Sequence, residues 1–130
     1  MSSKQILNYY IGKEVGRGAF GKVYVGMDNN SDRVAIKEIK NEPRFNDAAI
    51  REIKILKQLQ YNKLEDNYVI NFKEDFVNLG IQYMVFEYMD RNLYHYYKKN
   101  DIPYDDVINI FYELTKGLEY IHSQNIIHCD

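Results

Sequence analysis

The sequence predicts an α+β fold, with an antiparallel five-stranded sheet and one long helix in the first part of the chain and further helices after them. Two observations support this prediction. Apolar and polar side chains alternate along residues 10–40, with turn residues between the runs, which is typical of short antiparallel strands. Apolar residues then recur three and four apart in residues 46–60, 92–99 and 103–124, which indicates amphipathic helices.

The first three strands are placed at residues 10–16, 22–27 and 33–39. Each run has the period of two that puts alternate side chains on opposite faces of a sheet. The connection Asp28-Asn29-Asn30-Ser31-Asp32 consists of residues that favour turns, so the second and third strands form a hairpin.

The long helix is placed at residues 46–60, with Asp47 as the residue that caps its start. A polar connection, residues 61–67, follows it. The apolar residues that recur along one side of this helix are Ala49, Ile53, Leu56 and Leu59.

The remaining two strands are placed at Val69–Phe76 and Ile81–Tyr88, around the turn Asn78-Leu79-Gly80. Two helices follow, at Asn92–Lys99 and Pro103–Gln124, and proline suits a first helical turn. One apolar stripe runs along the last helix and contains Val107, Phe111, Leu114, Leu118 and Ile121.

The composition excludes several classes of protein. A net charge of −2 and a pI near 5.9 provide no basic surface for a nucleic-acid backbone. The sequence has no apolar run long enough for a signal peptide or a membrane span, and Ser2 stands where myristoylation requires glycine. One cysteine cannot form an internal disulfide. We therefore expect an intracellular protein, of the cytoplasm or nucleus, without nucleic-acid or membrane partners.

Gly16, Gly18 and Gly21 have the Gly-x-Gly-x-x-Gly spacing that several nucleotide-binding loops share. A Rossmann loop opens a helix, whereas Gly21 leads into an alternating strand. A Walker A loop needs serine or threonine after Gly21-Lys22, and Val23 stands there. The remaining interpretation is a hairpin whose backbone N–H groups lie against phosphate oxygens, where a Cβ would hinder the approach. An ordinary glycine-containing hairpin is the alternative.

Lys37 ends the run Val34-Ala35-Ile36-Lys37 in the third strand. Alternation places Ala35 and Lys37 on the same face of the sheet. Ala35 is small enough to lie under an adenine ring, and Lys37 is long enough to reach α- and β-phosphates. The alternative for Lys37 is a solvated surface charge.

These motifs resemble the glycine-rich loop and third-strand lysine of eukaryotic protein kinases. Ile50-Arg51-Glu52-Ile53 is similar to the ion-pairing helix of cyclin-dependent and related kinases, which implies that Glu52 pairs with Lys37. The alternative is a surface glutamate that makes only weak i,i+4 pairs. Ile127-His128-Cys129-Asp130 resembles the start of the catalytic loop, which implies that Asp130 orients the substrate hydroxyl and accepts its proton. Lys37, Glu52 and Asp130 are the catalytic residues that the resemblance implies.

The resemblance implies a protein-kinase-like fold, ATP as cofactor and a protein as substrate. Tyr83–Met89 resembles the strand that leads into the kinase hinge, which implies that Phe86 is the gatekeeper and that Glu87 and Met89 offer backbone groups to adenine. The residues that the resemblance assigns to nucleotide binding are Val15, Gly16, Arg17, Gly18, Ala19, Phe20, Gly21, Lys22, Val23, Ala35, Lys37, Phe86, Glu87 and Met89.

Cys129 stands where most protein kinases carry arginine. Cysteine there, together with Asn92-Leu93-Tyr94, resembles the dual-specificity tyrosine-regulated and homeodomain-interacting kinases of the CMGC group. The substitution removes a cation that would pair with a phosphorylated activation loop. We expect the Cys129 thiol to be packed rather than reactive.

The resemblance covers residues 10–130 as a partial kinase domain, with the sheet lobe at 10–89, a truncated helical lobe at 90–130 and an N-terminal extension at 1–9. The family's catalytic-loop asparagine and Asp-Phe-Gly motif do not occur in the sequence, so the Mg²⁺ of complete family domains has no assigned protein ligand here. We expect a serine/threonine or dual-specificity kinase fragment that is inactive alone. The alternatives are a non-catalytic nucleotide-binding or regulatory module and a purely structural interaction piece.

Overall fold

The computed structural model describes residues 4–63, 68–99 and 101–129. The chain forms two compact units. The first unit comprises the chain up to Gln60 together with Ile70–Tyr88, and the second comprises Tyr61–Val69 and the chain from Met89 onward.

The first unit is built on a six-stranded antiparallel sheet. The α+β prediction is confirmed, and the sheet has six strands where the sequence predicted five. The order of the strands across the sheet is β1-β2-β3-β4-β6-β5. The strands are β1 (Lys4–Ile6), β2 (Tyr9–Gly18), β3 (Gly21–Met27), β4 (Arg33–Ile39), β5 (Phe72–Asn78) and β6 (Ile81–Glu87).

The additional strand, β1, lies at the edge of the sheet and pairs with β2. It has only three residues, too few for a period of two to be recognised. The turn between β1 and β2 places Leu7 in the left-handed region, with φ of 51°. This turn directs Ile6 into the core, where its side chain is 4% exposed.

The two faces of the sheet carry different side chains. On the face that we call the Lys37 face, Lys37 lies opposite Val23 on one neighbouring strand and Met84 on the other. Ala35 occupies the next position on this face, opposite Val25 and Phe86. The opposite face, which we call the Tyr83 face, carries a buried cluster of Ile6, Tyr9, Ile11, Val34, Ile36, Tyr83 and Val85.

Three aromatic rings stack in the cluster on the Tyr83 face. The ring centroids of Tyr9 and Phe76 lie 5.8 Å apart, and those of Phe76 and Tyr83 lie 5.2 Å apart. Both phenols keep a partner: the Tyr9 hydroxyl donates to Glu74, and the Tyr83 hydroxyl donates to Glu38 Oε2 at 3.0 Å. Burial and the Glu74 carboxylate raise the pKa of Tyr9. Tyrosine is thus used here as a buried ring with a satisfied polar end.

Helix α1 (Pro43–Tyr61) packs on the Lys37 face of the sheet. It begins three residues before the predicted start, with proline in its first turn, so Asp47 lies inside the helix and does not cap it. The helix contributes Ala49 and Ile53 to a buried cluster with Ile39, Phe72 and Met84. The predicted helical spacing of Ala49, Ile53, Leu56 and Leu59 is confirmed, because all four are buried or half-buried.

The turn between β5 and β6 consists of Leu79 and Gly80, with φ values of 49° and 77°. Two consecutive positive φ values are the geometry of a two-residue type I′ hairpin turn, which matches the right-handed twist of the strands. The turn was predicted from the sequence. Strand β5 begins at Phe72, three residues after its predicted start.

The second unit contains α2 (Leu93–Tyr97) and α3 (Tyr104–Ser123). The Asn92 side chain caps α2 by accepting from the His95 backbone N–H at 2.8 Å. The stripe predicted along α3 is exposed at its centre, where Phe111 and Leu114 are 64% and 57% exposed, whereas Ile121 is buried. Among the described helices, none is long and apolar enough to cross a bilayer.

Replacing Tyr83 by phenylalanine is expected to make the stability of the chain less sensitive to alkaline pH. Burial, followed by the hydrogen bond to Glu38, raises the pKa of Tyr83 to about 12 from the ordinary 10.0. Between these values the folded state keeps a proton that the unfolded chain loses. This contribution to the free energy of unfolding is therefore complete below pH 10 and falls by up to roughly 2–3 kcal/mol as the pH rises to 12.

Urea unfolding at pH 8 and at alkaline pH measures this effect. The wild-type chain should lose more stability at alkaline pH than the Tyr83→Phe chain does. Tyr104→Phe is the matched control, because Tyr104 is 77% exposed and should leave the pH dependence unchanged. Equal pH dependence in all three chains would contradict the assignment.

Candidate functional site

The three glycines of the nucleotide-binding pattern lie at the turn between β2 and β3. Gly18 lies opposite Gly21, with only Ala19 and Phe20 between them at the tip. The Phe20 carbonyl accepts a hydrogen bond from the Lys40 backbone N–H at 2.7 Å, which ties the tip to the end of β4. A strand follows Gly21, as predicted, so the Rossmann alternative is excluded.

Gly21 and Gly16 need glycine for different reasons. Gly21 has φ of +144°, and a Cβ there would lie 2.0 Å from the Glu38 carbonyl oxygen. Its requirement for glycine is therefore structural. A Cβ at Gly16 would make only ordinary contact, 3.6 Å from the Cβ of Val23. Because Gly16 lies opposite Val23, its missing side chain leaves space on the Lys37 face.

Lys37 and Glu52 form the ion pair that the resemblance implied. The Lys37 ammonium lies 2.8 Å from each carboxylate oxygen of Glu52. The side chains are 18% and 43% exposed. Glu52 reaches the sheet because it follows Ala49 by three residues, so the two share the side of α1 that packs on the Lys37 face. The alternative of a surface glutamate with only helical partners is excluded.

The Lys37 ammonium also lies 4.9 Å from the centre of the Phe20 ring, a cation–π distance. The ring thus comes from the tip of the glycine hairpin and the carboxylate comes from α1. Both contact the same ammonium, which joins the hairpin, the strand and the helix at one point. Sequence reasoning placed Phe20 in the loop but missed this contact, because the period of a strand does not determine where a ring at a tight turn will point.

An apolar surface lies beside the ion pair on the Lys37 face. Ala35 lies between Val25 and Phe86 across the strands. The Phe86 ring is held by an edge-to-face contact with Phe72, with centroids 5.5 Å apart. Val15, at the entrance to the glycine hairpin, is 53% exposed. The cation and an apolar surface are thus two residues apart along β4, about 6.6 Å in an extended strand.

Glu87 and Met89, the residues predicted to offer backbone groups to adenine, lie in different units. The Glu87 carboxylate accepts from the Asn71 backbone N–H at 2.6 Å, and the Glu87 N–H donates to the Asn71 carbonyl at 2.9 Å. The Glu87 side chain and N–H are therefore engaged within the first unit. Met89 is exposed.

Two predicted nucleotide-binding residues, Arg17 and Lys22, point their side chains to the opposite face of the hairpin. Lys22 pairs with Glu38 on β4 and with Arg17 on β2. Glu38 is adjacent to Lys37 in a strand, so its side chain and those paired with it point to the other face of the sheet. Arg17 also forms a bidentate ion pair with Glu14, at 2.7 and 2.8 Å. Its hydrogen bond lowers the pKa of the Glu14 carboxyl. Only the backbone of Arg17 and Lys22 remains available on the Lys37 face.

The predicted catalytic residue Asp130 lies outside the described residues. Its role stays a prediction. The Cys129 thiol, in the second unit, is exposed, with its sulfur 3.5 Å from the Ile127 carbonyl oxygen. The prediction of a packed thiol is therefore wrong. Cys129 has φ of 64°, so the chain turns sharply there and directs the side chain outward.

A metal ion and a nucleotide phosphate place different requirements on the described residues. Among them, no group of three or more histidine, cysteine, aspartate or glutamate side chains is placed to hold a metal ion. The described residues do fit a nucleotide phosphate, since the ammonium of Lys37 and the open space above Gly16 lie on one face of the sheet.

Comparison with known proteins identifies the family. The protein kinase domain family matches residues 9–130. The chain is 37% identical over 126 residues to mitogen-activated protein kinase 2 of Arabidopsis thaliana, which covers 91% of this chain and 33% of that protein. It is 34% identical over 128 residues to cyclin-dependent kinase 12 of Drosophila melanogaster, covering 90% of this chain and 11% of that protein.

A third relative is the probable dual specificity protein kinase YAK1 homolog of Encephalitozoon cuniculi. It is 31% identical over 125 residues, which cover 94% of this chain and 31% of that protein. The chain thus spans about a third or less of the length of these three relatives. The resemblance to the group that contains mitogen-activated, cyclin-dependent and dual-specificity kinases is confirmed, and the chain belongs to the protein kinase family.

Proposed function

We propose that the first unit binds ATP. We further propose that the chain contributes this site to a protein kinase of either serine/threonine or dual specificity. The Lys37–Glu52 ion pair beside the glycine hairpin carries this proposal. A lysine held by a carboxylate at the floor of a glycine hairpin is suited to binding phosphate oxygens. Membership of the protein kinase family supports the same conclusion.

Different residues of the chain would bind the phosphates of ATP and the substrate hydroxyl. The backbone N–H groups of the glycine hairpin would lie against the phosphate oxygens, and the space above Gly16 would allow that approach. Lys37 would bind the α- and β-phosphates while Glu52 fixes its orientation. Bound ATP would supply the γ-phosphoryl group. Asp130 would hold the substrate hydroxyl and accept its proton.

The apolar residues would position the base. Ala35 and Phe86 provide an apolar surface two residues from Lys37 along β4. Val23 lies opposite Lys37 on β3, and Val15 is exposed at the entrance to the glycine hairpin. The backbone carbonyl of Glu87 would bind the edge of adenine. This assignment follows from the family resemblance and uses no side chain.

A second candidate function is nucleotide binding without phosphoryl transfer, as a regulatory module. The glycine hairpin and the ion pair are compatible with this role as well, because both serve to bind nucleotide. Both functions need the same ion pair, so nucleotide binding tests them together against a purely structural role. We also propose a protein substrate and, from the single cysteine, a reducing intracellular compartment.

Replacing Lys37 by methionine is expected to weaken ATP binding by about tenfold or more. The substitution keeps the length of the side chain but removes a charge-assisted contact worth roughly 1.5–3 kcal/mol. It also leaves the Glu52 carboxylate without its partner, where it would repel phosphate. Titration of the 130-residue chain with a fluorescent ATP analogue measures the affinity.

Lys54→Met is the matched control, because Lys54 is exposed on the same helix as Glu52. It should bind the analogue as the wild type does. Circular dichroism checks that both variants remain folded. If folded Lys37→Met binds ATP as tightly as the control, the proposed site is wrong.

A further inference from the structure

A cavity lies on the Lys37 face, at the end of the sheet away from the glycine hairpin. Its volume is about 350 Å³, within the range of small ligand pockets, roughly 300–1,000 Å³. Along β4 it is centred near Arg33, four residues before Lys37. Its walls include Tyr10, Gly12, Val25, Met27, Arg33 and Tyr88, none of which is proposed to bind ATP.

The cavity exists because of the way β2 and β3 pair. Tyr10 lies opposite Met27, and Met27 lies opposite Arg33, so the three side chains stand side by side on one face. The pairing of β2 with β3 shifts between Ile11 and Glu14, next to Gly12. A Cβ at Gly12 would lie 2.8 Å from the Val25 carbonyl oxygen and 3.5 Å from its side chain. Glycine at this position therefore keeps the cavity open.

The walls are apolar and the rim carries one cation. The guanidinium of Arg33 lies 5.8 Å from the centre of the Tyr88 ring, a contact that holds it above the cavity. Within the described part of the chain, Arg33 forms no ion pair. Tyr10 and Met27 are 40% and 46% exposed. A charge poised beside an open apolar cavity is complementary to an apolar group that is followed by an anion.

We propose that this cavity binds an extended segment of another protein, with one aromatic or branched apolar side chain in the cavity and the carboxylate of the next residue on Arg33. Charge complementarity at Arg33 supports the acidic residue. The kinds of residue at the rim support a protein partner, because tyrosine, methionine and arginine are enriched in the cores of protein interfaces. The proposal does not depend on ATP binding.

The test titrates the isotope-labelled 130-residue chain with each of three capped hexapeptides and measures the chemical shifts of the chain by NMR. The first peptide contains the pair Phe-Asp, and its other residues are glycine and serine. The second has asparagine for the aspartate, and the third has alanine for the phenylalanine. We expect the first to give saturable shifts at Gly12, Gly26, Met27 and Arg33. The asparagine peptide should bind two- to fivefold more weakly, as for an exposed ion pair, and the alanine peptide more weakly still.

Two variants test the residues directly. Arg33→Gln should remove the difference between the aspartate and asparagine peptides, which isolates the charge pair. Met27→Asp should weaken the binding of both the aspartate and the asparagine peptide by at least fivefold, because it places a carboxylate in the apolar wall. Arg51→Gln, an exposed arginine on α1, is the control and should leave both affinities unchanged. Folding of each variant is checked by thermal unfolding.

The proposal is overturned if the aspartate peptide gives no saturable shift at the cavity, or if Arg33→Gln leaves the ratio of the two affinities unchanged. It is also overturned if ATP displaces the peptide, because the cavity would then belong to the nucleotide site. Concentration-dependent shifts at the same residues without peptide would assign the cavity to a second copy of the chain and would equally overturn it.

Discussion

Replacing Gly21 by alanine is expected to lower the free energy of unfolding by about 3–5 kcal/mol, a large part of the stability of an ordinary domain. Gly21 has φ of +144°, a conformation that residues with a Cβ rarely adopt. The new methyl group would also lie 2.0 Å from the Glu38 carbonyl oxygen. That oxygen belongs to β4, which pairs with β3 on one side and β6 on the other, so it cannot move aside without breaking the sheet.

Gly16→Ala is the matched comparison, because the same methyl group is added five residues earlier in the same hairpin. Its nearest contact would be 3.6 Å from the Cβ of Val23, so the free energy of unfolding should change by less than about 1 kcal/mol. ATP binding should nevertheless weaken, since the methyl group would occupy the space proposed for a phosphate. Urea unfolding and nucleotide titration separate the two effects. Equal losses of stability in both variants would contradict the distinction between a structural and a ligand-facing glycine.

The Lys37–Glu52 pair was predicted from the resemblance of Ile50-Arg51-Glu52-Ile53 to the ion-pairing helix of related kinases, and two simple periods agree with it. The alternation of β4 puts Lys37 on the same face as Ala35, and the spacing of Ala49 and Ile53 puts Glu52 on the buried side of α1. A helix that follows an antiparallel sheet must bury its apolar side against that sheet. These periods place both side chains between the sheet and the helix, and the resemblance singled out Glu52 as the partner of Lys37.

Features that depend on single turns could not be predicted in this way. The strand β1 needs the left-handed conformation of Leu7, a residue for which such a turn is uncommon. The start of α1 was placed at Asn46, because the apolar period begins there, whereas the helix begins at Pro43. The ring of Phe20 and the outward side chain of Cys129 follow from local backbone turns. Patterns of hydrophobic residues carry no signal for these.

The cavity near Arg33 shows the same limit. Alternation could have placed Met27 and Arg33 on the Lys37 face, because each strand was predicted nearly within its observed bounds. The shift in pairing beside Gly12 decides whether a space opens there, and this shift depends on how β2 bends over β3. A glycine in a strand was the only available signal, and it indicates a bulge or a close approach without distinguishing them.

A polypeptide restricted to these 130 residues is expected to bind ATP without transferring its phosphoryl group. The sequence contains no Asp-Phe-Gly motif, and the described residues contain no group of three or more histidine, cysteine, aspartate or glutamate side chains placed to hold a metal ion. Metal ions supply several kcal/mol of transition-state stabilisation in phosphoryl transfer, and each 1.4 kcal/mol corresponds to about a tenfold change in rate. Transfer of labelled phosphate to a mixed library of serine, threonine and tyrosine peptides measures the activity, with Lys37→Met as the background.

Magnesium is not expected to strengthen the binding of ATP to this chain. Lys37 and the backbone N–H groups of the glycine hairpin are all donors, so their attraction for the phosphates grows with the negative charge that the phosphates carry. Magnesium reduces that charge and gains no protein ligand in return, so ATP should bind at least as tightly with a chelator present as with magnesium. Calorimetric titrations under both conditions make the comparison. Two results would contradict these expectations: tighter ATP binding with magnesium, or phosphate transfer that disappears in Lys37→Met. Either would mean that this chain holds the metal through residues not assigned to it. The enzymatic function would then be favoured over the regulatory module.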